Sequence, residues 1–144
     1  MAAGVVPTAR SCGWLLVVVP FIALTGCNGQ GDRPPLGTVG GTVTLDGQPL
    51  SGVQVTFAPE SGRPSSGRTD GSGRYELLYI MNTKGAKVGK HRVFIDWPPA
   101  EEEDETAPKT QDRPKIPVRY NRQTTLAGEV RSGGNTLDFS LDSK

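Results

Sequence analysis

Apolar and polar residues alternate along most of the chain after residue 38, which is the pattern of β-strands with one buried face. Strands of this kind bury their apolar faces only against a second sheet. The sequence therefore predicts an all-β fold, a single seven-stranded (six to eight) β-sandwich. The residues predicted to face inward are Val39, Gly41, Val43, Leu45, Val53, Val55, Phe57, Tyr75, Leu77, His91, Val93, Ile95, Trp97, Leu126, Val130, Leu137, Phe139 and Leu141.

Turn-forming residues separate the alternating runs. Asp46-Gly47 predicts a tight turn because one or both positions need positive φ. Stretches rich in Gly, Ser, Pro or Asn predict surface loops over 60–68 and 82–87. Pro98-Pro99 ends the strand predicted from Gly89 to Trp97, since proline donates no ladder hydrogen bond.

A polar segment interrupts the domain at 98–116. It contains five consecutive acids, Glu101 to Glu105, followed by prolines and mixed charges. Because it holds almost no apolar residue, we expect a solvated, disordered loop. Loose binding of Ca²⁺ or of a basic partner by the acids is the alternative.

The N-terminal segment carries an apolar run of eleven residues, Trp14 to Leu24, after the basic Arg10. A helix of that length spans roughly 16 Å, which is about half of the hydrocarbon core of a bilayer. The segment 1–26 is therefore predicted to be a signal peptide and not a membrane span.

The run ends in Leu24, Thr25, Gly26 and Cys27, a tetrapeptide that resembles the bacterial lipobox. The resemblance implies cleavage before Cys27 and attachment of two or three acyl chains to this cysteine, which anchor a protein stably in a membrane. Residues 27–37 then form a lipid-bearing N-terminus and a flexible tether, and 38–144 form the folded domain. The implied location is the cell envelope, on the periplasmic or outer-membrane face. The resemblance does not decide between anchoring in the inner membrane and anchoring in the outer membrane.

Charge and cysteine content narrow the function classes. Beyond Cys27 the chain holds 15 basic and 15 acidic residues, so charge gives no case for binding nucleic acid. Cys12 and Cys27 both belong to the leader or its end, which leaves the domain without a disulfide or thiolate ligand. No cofactor is expected.

Two motifs resemble a known domain family. The first reads GTVTLDGQPLSGVQVTF at Gly41 to Phe57, and the second reads TDGSGRY at Thr69 to Tyr75. Together with GKHRVFI at Gly89 to Ile95, they are similar to the carboxypeptidase regulatory-like domains. The resemblance implies a transthyretin-like (prealbumin-like) β-sandwich and says little of function, since these domains are appendages of unrelated proteins.

The sequence offers few candidate residues for catalysis or metal binding. His91 is the single histidine of the chain, so a hydrolase would depend on it, and no Gly-x-Ser-x-Gly nucleophile motif accompanies it. A zinc site needs three or four ligands of the His, Cys or carboxylate type. The sequence predicts no metal site. The Asp70 to Gly73 stretch is interpreted as a turn and not as a calcium loop, because the further acids are missing.

Aromatic residues give the remaining candidate site. Trp97, Tyr79 and Tyr120 are candidate ligand contacts, because aromatic rings stack on sugars in carbohydrate-binding sandwiches. The leading hypothesis is a non-enzymatic, membrane-anchored structural or binding module of the cell envelope, with an unknown envelope protein or glycan as partner. The alternatives are a carbohydrate- or peptide-binding accessory domain and, second, a hydrolase using His91.

Overall fold

Two β-sheets face each other in the computed structural model, which describes residues 33–99 and 112–144 together with Gly4 and Lys109. The predicted all-β sandwich is confirmed, although the chain divides its strands into more and shorter segments than seven. These are β1 (Leu36–Leu45), β2 (Gln48–Pro49), β3 (Gln54–Pro59), β4 (Ser65–Arg68), β5 (Arg74–Glu76), β6 (Leu78–Ile80), β7 (Thr83–Lys84), β8 (Ala86–Lys87), β9 (Gly89–Asp96), β10 (Ala127–Val130), β11 (Gly133–Thr136) and β12 (Phe139–Leu141). A 3-10 helix, Val118–Tyr120, precedes β10.

The first sheet is organised around β1, which is its long central strand. Short antiparallel strands β8, β5 and β2 pair with it in turn. The strands β11 and β12 pair with it in parallel. One continuous strand thus joins segments from nearly the whole length of the domain.

The second sheet has the strand order β10-β9-β3-β4-β6-β7 and is antiparallel throughout. Its longest pairing joins β3 to β9, from Gln54↔Asp96 to Pro59↔His91. The alternation of these two strands sends Val55, Phe57 and Val93 into the core, where each is fully buried.

The core between the sheets confirms most of the predicted inward set. His91 is buried as expected, and Trp97, Leu126 and Leu137 are only partly buried. The residues that the sequence did not place in the core are Leu50, Ala86, Ile116 and Tyr120. These four lie outside regular alternating runs, so their burial depends on where loops and short segments pack.

Two predicted loops contain strands. Residues 65–68 form β4, which pairs with β3 although it is composed of Ser, Gly and Arg. Residues 83–84 and 86–87 form β7 and β8. The loop predictions are wrong at these positions because pairing with an existing edge overrides weak local propensity.

The boundaries of the predicted tether and of the predicted acidic loop also differ from the structure. Leu36 and Gly37 belong to β1, two residues earlier than expected. Within 98–116, Pro98 and Ile116 are buried, while residues 100–108, including the acidic run, lie outside the described residues. Across the described ranges, no helix is long and apolar enough to cross a membrane.

The predicted turn at Asp46-Gly47 is confirmed. Both residues have positive φ, 50° and 80°, and they connect Leu45 to its partner Gln48. The second motif forms a turn at Asp70, whose Oδ1 accepts hydrogen bonds from the backbone N–H groups of Ser72 and Arg74 at 2.8 and 3.0 Å.

Candidate functional site

A shallow groove of about 740 Å³ runs along β1 on the first sheet. We call it the β1 groove. Its residues are Thr38, Val39, Gly40, Gly41, Thr42, Arg74, Tyr75, Glu76, Gly134, Asn135, Thr136 and Asp138. The volume falls in the usual range of small-molecule sites, about 300–1,000 Å³.

The groove is built on a point of close backbone approach at Gly41. A Cβ atom there would lie 1.9 Å from the carbonyl oxygen of Leu137, so no other residue fits without a backbone shift. The hydroxyl of Tyr75 passes Gly41 and donates to the same oxygen at 2.6 Å. Burial, and secondarily the nearby Asp138 carboxylate, raises the pKa of this hydroxyl well above its ordinary value.

The wall opposite β5 is shaped by an irregularity between β11 and β12. The backbone N–H of Leu137 donates to Gly40 at 2.9 Å, and Asp138 Oδ1 accepts from the N–H of Thr42 at 2.8 Å. Asp138 therefore supplies an acceptor that the interrupted parallel ladder lacks. Its carboxylate therefore stabilises the fold and also lines the groove.

Asn135 stabilises the fold and lines the groove in the same way. Its side-chain nitrogen donates to the carbonyl oxygens of Arg131 at 2.7 Å and of Thr38 at 3.1 Å, and its oxygen accepts from the N–H of Arg131 at 2.9 Å. The groove then presents hydroxyl groups of threonines, the guanidinium of Arg74 and the carboxylate of Glu76, which lies 2.9 Å from Lys84 Nζ. Such a lining suits hydrogen bonding to a polar ligand.

The sequence reasoning missed the β1 groove. The consecutive glycines Gly40 and Gly41 inside a strand pattern are the one available signal, because glycine in a strand marks a bulge or a close backbone approach. The residues from distant segments that complete the walls, Arg74, Glu76 and Asp138, carry no local motif.

The three predicted aromatic contacts do not form one platform. Trp97 is half-buried at the end of β9, where its Nε1 donates to Pro114 at 3.1 Å and the Arg113 guanidinium lies 5.0 Å from the ring. Tyr120 is buried in the 3-10 helix, which packs against β9, and its hydroxyl accepts from the N–H of Asp142 at 3.1 Å. Tyr79 lies on β6, which is three strand positions from β9 in the second sheet. At the usual spacing of neighbouring strands, β6 and β9 are about 14 Å apart.

His91 lies inside the core with 3% of its surface exposed. Its Nε2 is 2.7 Å from the carbonyl oxygen of Lys87, its ring centroid is 5.7 Å from that of Phe57, and its Nδ1 has no hydrogen-bond partner among the described residues. His91 also lines a second pocket, of about 460 Å³, together with Pro59, Glu60 and Lys90.

The lipobox residues Leu24, Thr25, Gly26 and Cys27 lie outside the described residues, so the predicted anchor stays a prediction. Within the part of the chain that the structure describes, no group of three or more His, Cys, Asp or Glu side chains is arranged to hold a metal ion.

Comparison with known proteins gives a likeness of fold and none of sequence. No protein-family model and no curated protein matches the sequence. The fold is similar to the crystal structure of a DUF3823 family protein from Parabacteroides merdae ATCC 43184, with 17% identity and a TM-score of 0.40. The match covers 75% of this chain and 46% of that one, so this chain matches less than half of its neighbour's length.

Proposed function

We propose that this chain is a lipid-anchored, extracytoplasmic protein whose sandwich is a non-enzymatic structural or binding module of the bacterial cell envelope. The observation that carries the proposal is the tetrapeptide Leu24 to Cys27 directly after an apolar run too short to span a bilayer. The described domain begins its first strand at Leu36, nine residues after that cysteine, a spacing suited to a short tether.

The family resemblance deepens the proposal. We assign the domain to the carboxypeptidase regulatory-like group with a transthyretin-like sandwich, and the support is what the motif residues do. Asp46 and Gly47 make the β1–β2 turn, Asp70 holds the next turn, and Tyr75 bonds Leu137. The motif is thus a folding signal, which fits a module whose binding surface differs from protein to protein.

The anchor is tested by expressing the full chain in a bacterium and fractionating it. The wild-type chain is expected in the membrane fraction, with a mass that shows acyl chains on an N-terminal Cys27. Cys27→Ala is expected to abolish acylation. The chain is then either released from the membrane or left with its signal peptide uncleaved. The matched control is Cys12→Ala, which removes the other cysteine of the chain and should change nothing. An unacylated wild-type product beginning elsewhere contradicts the proposal.

The β1 groove favours one second candidate, a binding site for a polar carbohydrate or peptide. Its lining combines threonines, Arg74, Glu76 and Asp138 with the two glycines Gly40 and Gly41, which have no side chains. A glycan and peptide array probed with the full chain tests this. Loss of a signal in Arg74→Ala but not in Trp97→Ala places the ligand in the groove, whereas the reverse result places it at the half-buried tryptophan.

A further inference from the structure

The strand pairings place five chain segments at one end of the sandwich, which we call the tether end. Leu36 pairs with Lys87, and the N–H of Val88 donates to Pro35 at 2.8 Å, so the tether leaves the domain beside β8. The β10–β11 turn lies there as well, since Gly133 pairs with Gly37. The five segments are the start of β1 at 33–36, the loop 60–64, the β6–β7 hairpin tip, residues 87–90 and the turn 131–133.

The β6–β7 hairpin points toward the same end. Ser66 pairs with both Thr56 and Leu78, so β6 runs parallel to β3. Lys87 Nζ donates to the carbonyl oxygen of Ser61, just beyond the end of β3, at 2.9 Å, so β3 ends at the tether end. The tip that follows Ile80 therefore projects beside the loop 60–64.

Apolar side chains are exposed on this hairpin. Leu78 is 40% exposed, Ile80 is 44% exposed and Met81 at the tip is 87% exposed. Three large apolar residues in four positions differ from the scattered exposure that is normal on a protein surface, and such a patch marks an interaction site.

Positive charge surrounds the hairpin tip and the tether exit. Among the described residues of the tether end, the basic side chains outnumber the carboxylates by five to two. They are Arg33, Arg63, Lys87, Lys90 and Arg131 against Glu60 and Glu129, the latter counted because it pairs with Lys90 across the strands β9 and β10. Over all described residues the excess is weaker, with fifteen basic side chains against nine carboxylates.

The length of the tether limits what this surface meets. Only five residues lie between Cys27 and Arg33, and this connection reaches at most about 20 Å when fully extended. A domain held that close to its acyl chains turns some face toward the lipid headgroups. The end from which the tether emerges is the one that the short connection brings nearest.

We infer that the tether end docks on the surface of the anionic phospholipid bilayer that carries the anchor, with Met81 and Ile80 inserted among the headgroups and the basic residues over anionic lipids. This inference rests on the proposed function. Apolar insertion combined with cationic attraction is the general mode of interfacial binding. Docking holds the β1 groove at a defined height and orientation above the membrane.

The test uses the acylated product of the full chain, placed in vesicles of neutral lipid or of neutral lipid with anionic phosphatidylglycerol. Because the sequence has no cysteine after Cys27, Met81→Cys and, separately, Ser143→Cys each introduce one thiol for an environment-sensitive fluorophore. Quenching by brominated lipid is expected for the label at 81 in anionic vesicles and not for the label at 143. Asn82→Cys provides a second position on the tip.

Charge variants separate docking from simple proximity. Each basic residue near an anionic surface strengthens binding about fivefold, so Lys90→Gln with Arg131→Gln should lower the docked-to-undocked ratio about twenty-five-fold. The matched control is Lys115→Gln with Lys144→Gln, which changes net charge equally away from the tether end. We expect no loss of quenching in the control.

The outcomes distinguish this inference from the proposal beneath it. If the chain does not float with vesicles at all, the anchor fails. If it floats but the label at 81 is unquenched, or is quenched equally in neutral vesicles and in the Lys90/Arg131 variant, the docking surface is refuted and the anchor stands.

Discussion

The turn at Asp70 and the hairpin tip at Met81 both reverse the chain in this domain, and they do so with opposite chemistry. The Asp70 carboxylate accepts three hydrogen bonds from Ser72 and Arg74, and Gly73 supplies the positive φ of 76°. At Met81 the positive φ of 39° falls on a large apolar residue that is 87% exposed.

The contrast shows where side chains serve the fold and where they remain available for contact. A non-glycine residue at positive φ costs conformational energy, and asparagine or glycine normally occupies such a position. In the Asp70 turn the positive φ falls on a glycine, which adopts it without strain. In the Met81 tip it falls on a methionine, which does not. The tip is therefore where substitutions should cost the fold least.

The largest effect is expected at Gly73. A Cβ atom there would lie 2.6 Å from the carbonyl oxygen of Val43, in a backbone conformation that L-residues rarely adopt. Gly73→Ala should lower the free energy of unfolding by about 2 to 4 kcal/mol in urea titration. Gly71→Ala in the same turn meets open space and should change it little, and equal losses in the two variants would contradict this account.

The next effect is expected where the strand leaving the Asp70 turn is fastened. Tyr75→Phe removes the donor to Leu137 and leaves a half-buried carbonyl oxygen with less hydrogen bonding. We expect a loss of about 1 to 2 kcal/mol in denaturant titration. Tyr79→Phe on the second sheet is the control, with an expected change below about 0.5 kcal/mol.

A smaller, pH-dependent effect is expected for Asp70→Ala. The hydrogen bond from the Ser72 side chain, followed by those from the Arg74 and Ser72 backbones, lowers the pKa of Asp70 in the folded state. Its contribution is therefore complete above the unfolded-state value near 3.8 and disappears as pH falls through the lower folded value. The difference in melting temperature between wild type and variant should be largest at neutral pH and shrink below pH 3.8.

The smallest effect on stability is expected at the hairpin tip. Met81→Asn places a residue that tolerates positive φ where methionine stands. The free energy of unfolding of this variant should equal that of wild type, or exceed it by about a few tenths of a kcal/mol, in the same titration. A clear loss of stability would mean that Met81 packs within the domain, which would weaken the docking surface.

Much of the core was predictable because a strand's side chains alternate with a period of two. Val43, Val55, Phe57, Val93 and Ile95 follow that rule and are all fully buried. The rule fails where burial comes from a neighbour and not from the strand's own pattern. Ile116 and Tyr120 are core residues for this reason, and β4 is a strand because it pairs with β3 on one side and β6 on the other.

The candidate sites divide in the same way. The tetrapeptide that resembles a lipobox is contiguous, so the sequence alone predicts it. The β1 groove joins Thr38, Arg74 and Asp138 from three separate segments, and no local pattern connects them. His91 was predicted inward from alternation, and its burial agrees with that prediction.

The sequence by itself determined which faces are apolar, where Asp46 and Gly47 reverse the chain and that an apolar run precedes Cys27, because each is a relation between residues close along the chain. Only the tertiary structure decided that β1 pairs with five other strands and that Met81, Lys90 and Arg131 share the end where the tether emerges. Those arrangements depend on strand register over separations of up to about a hundred residues, and register is set by packing the whole core at once.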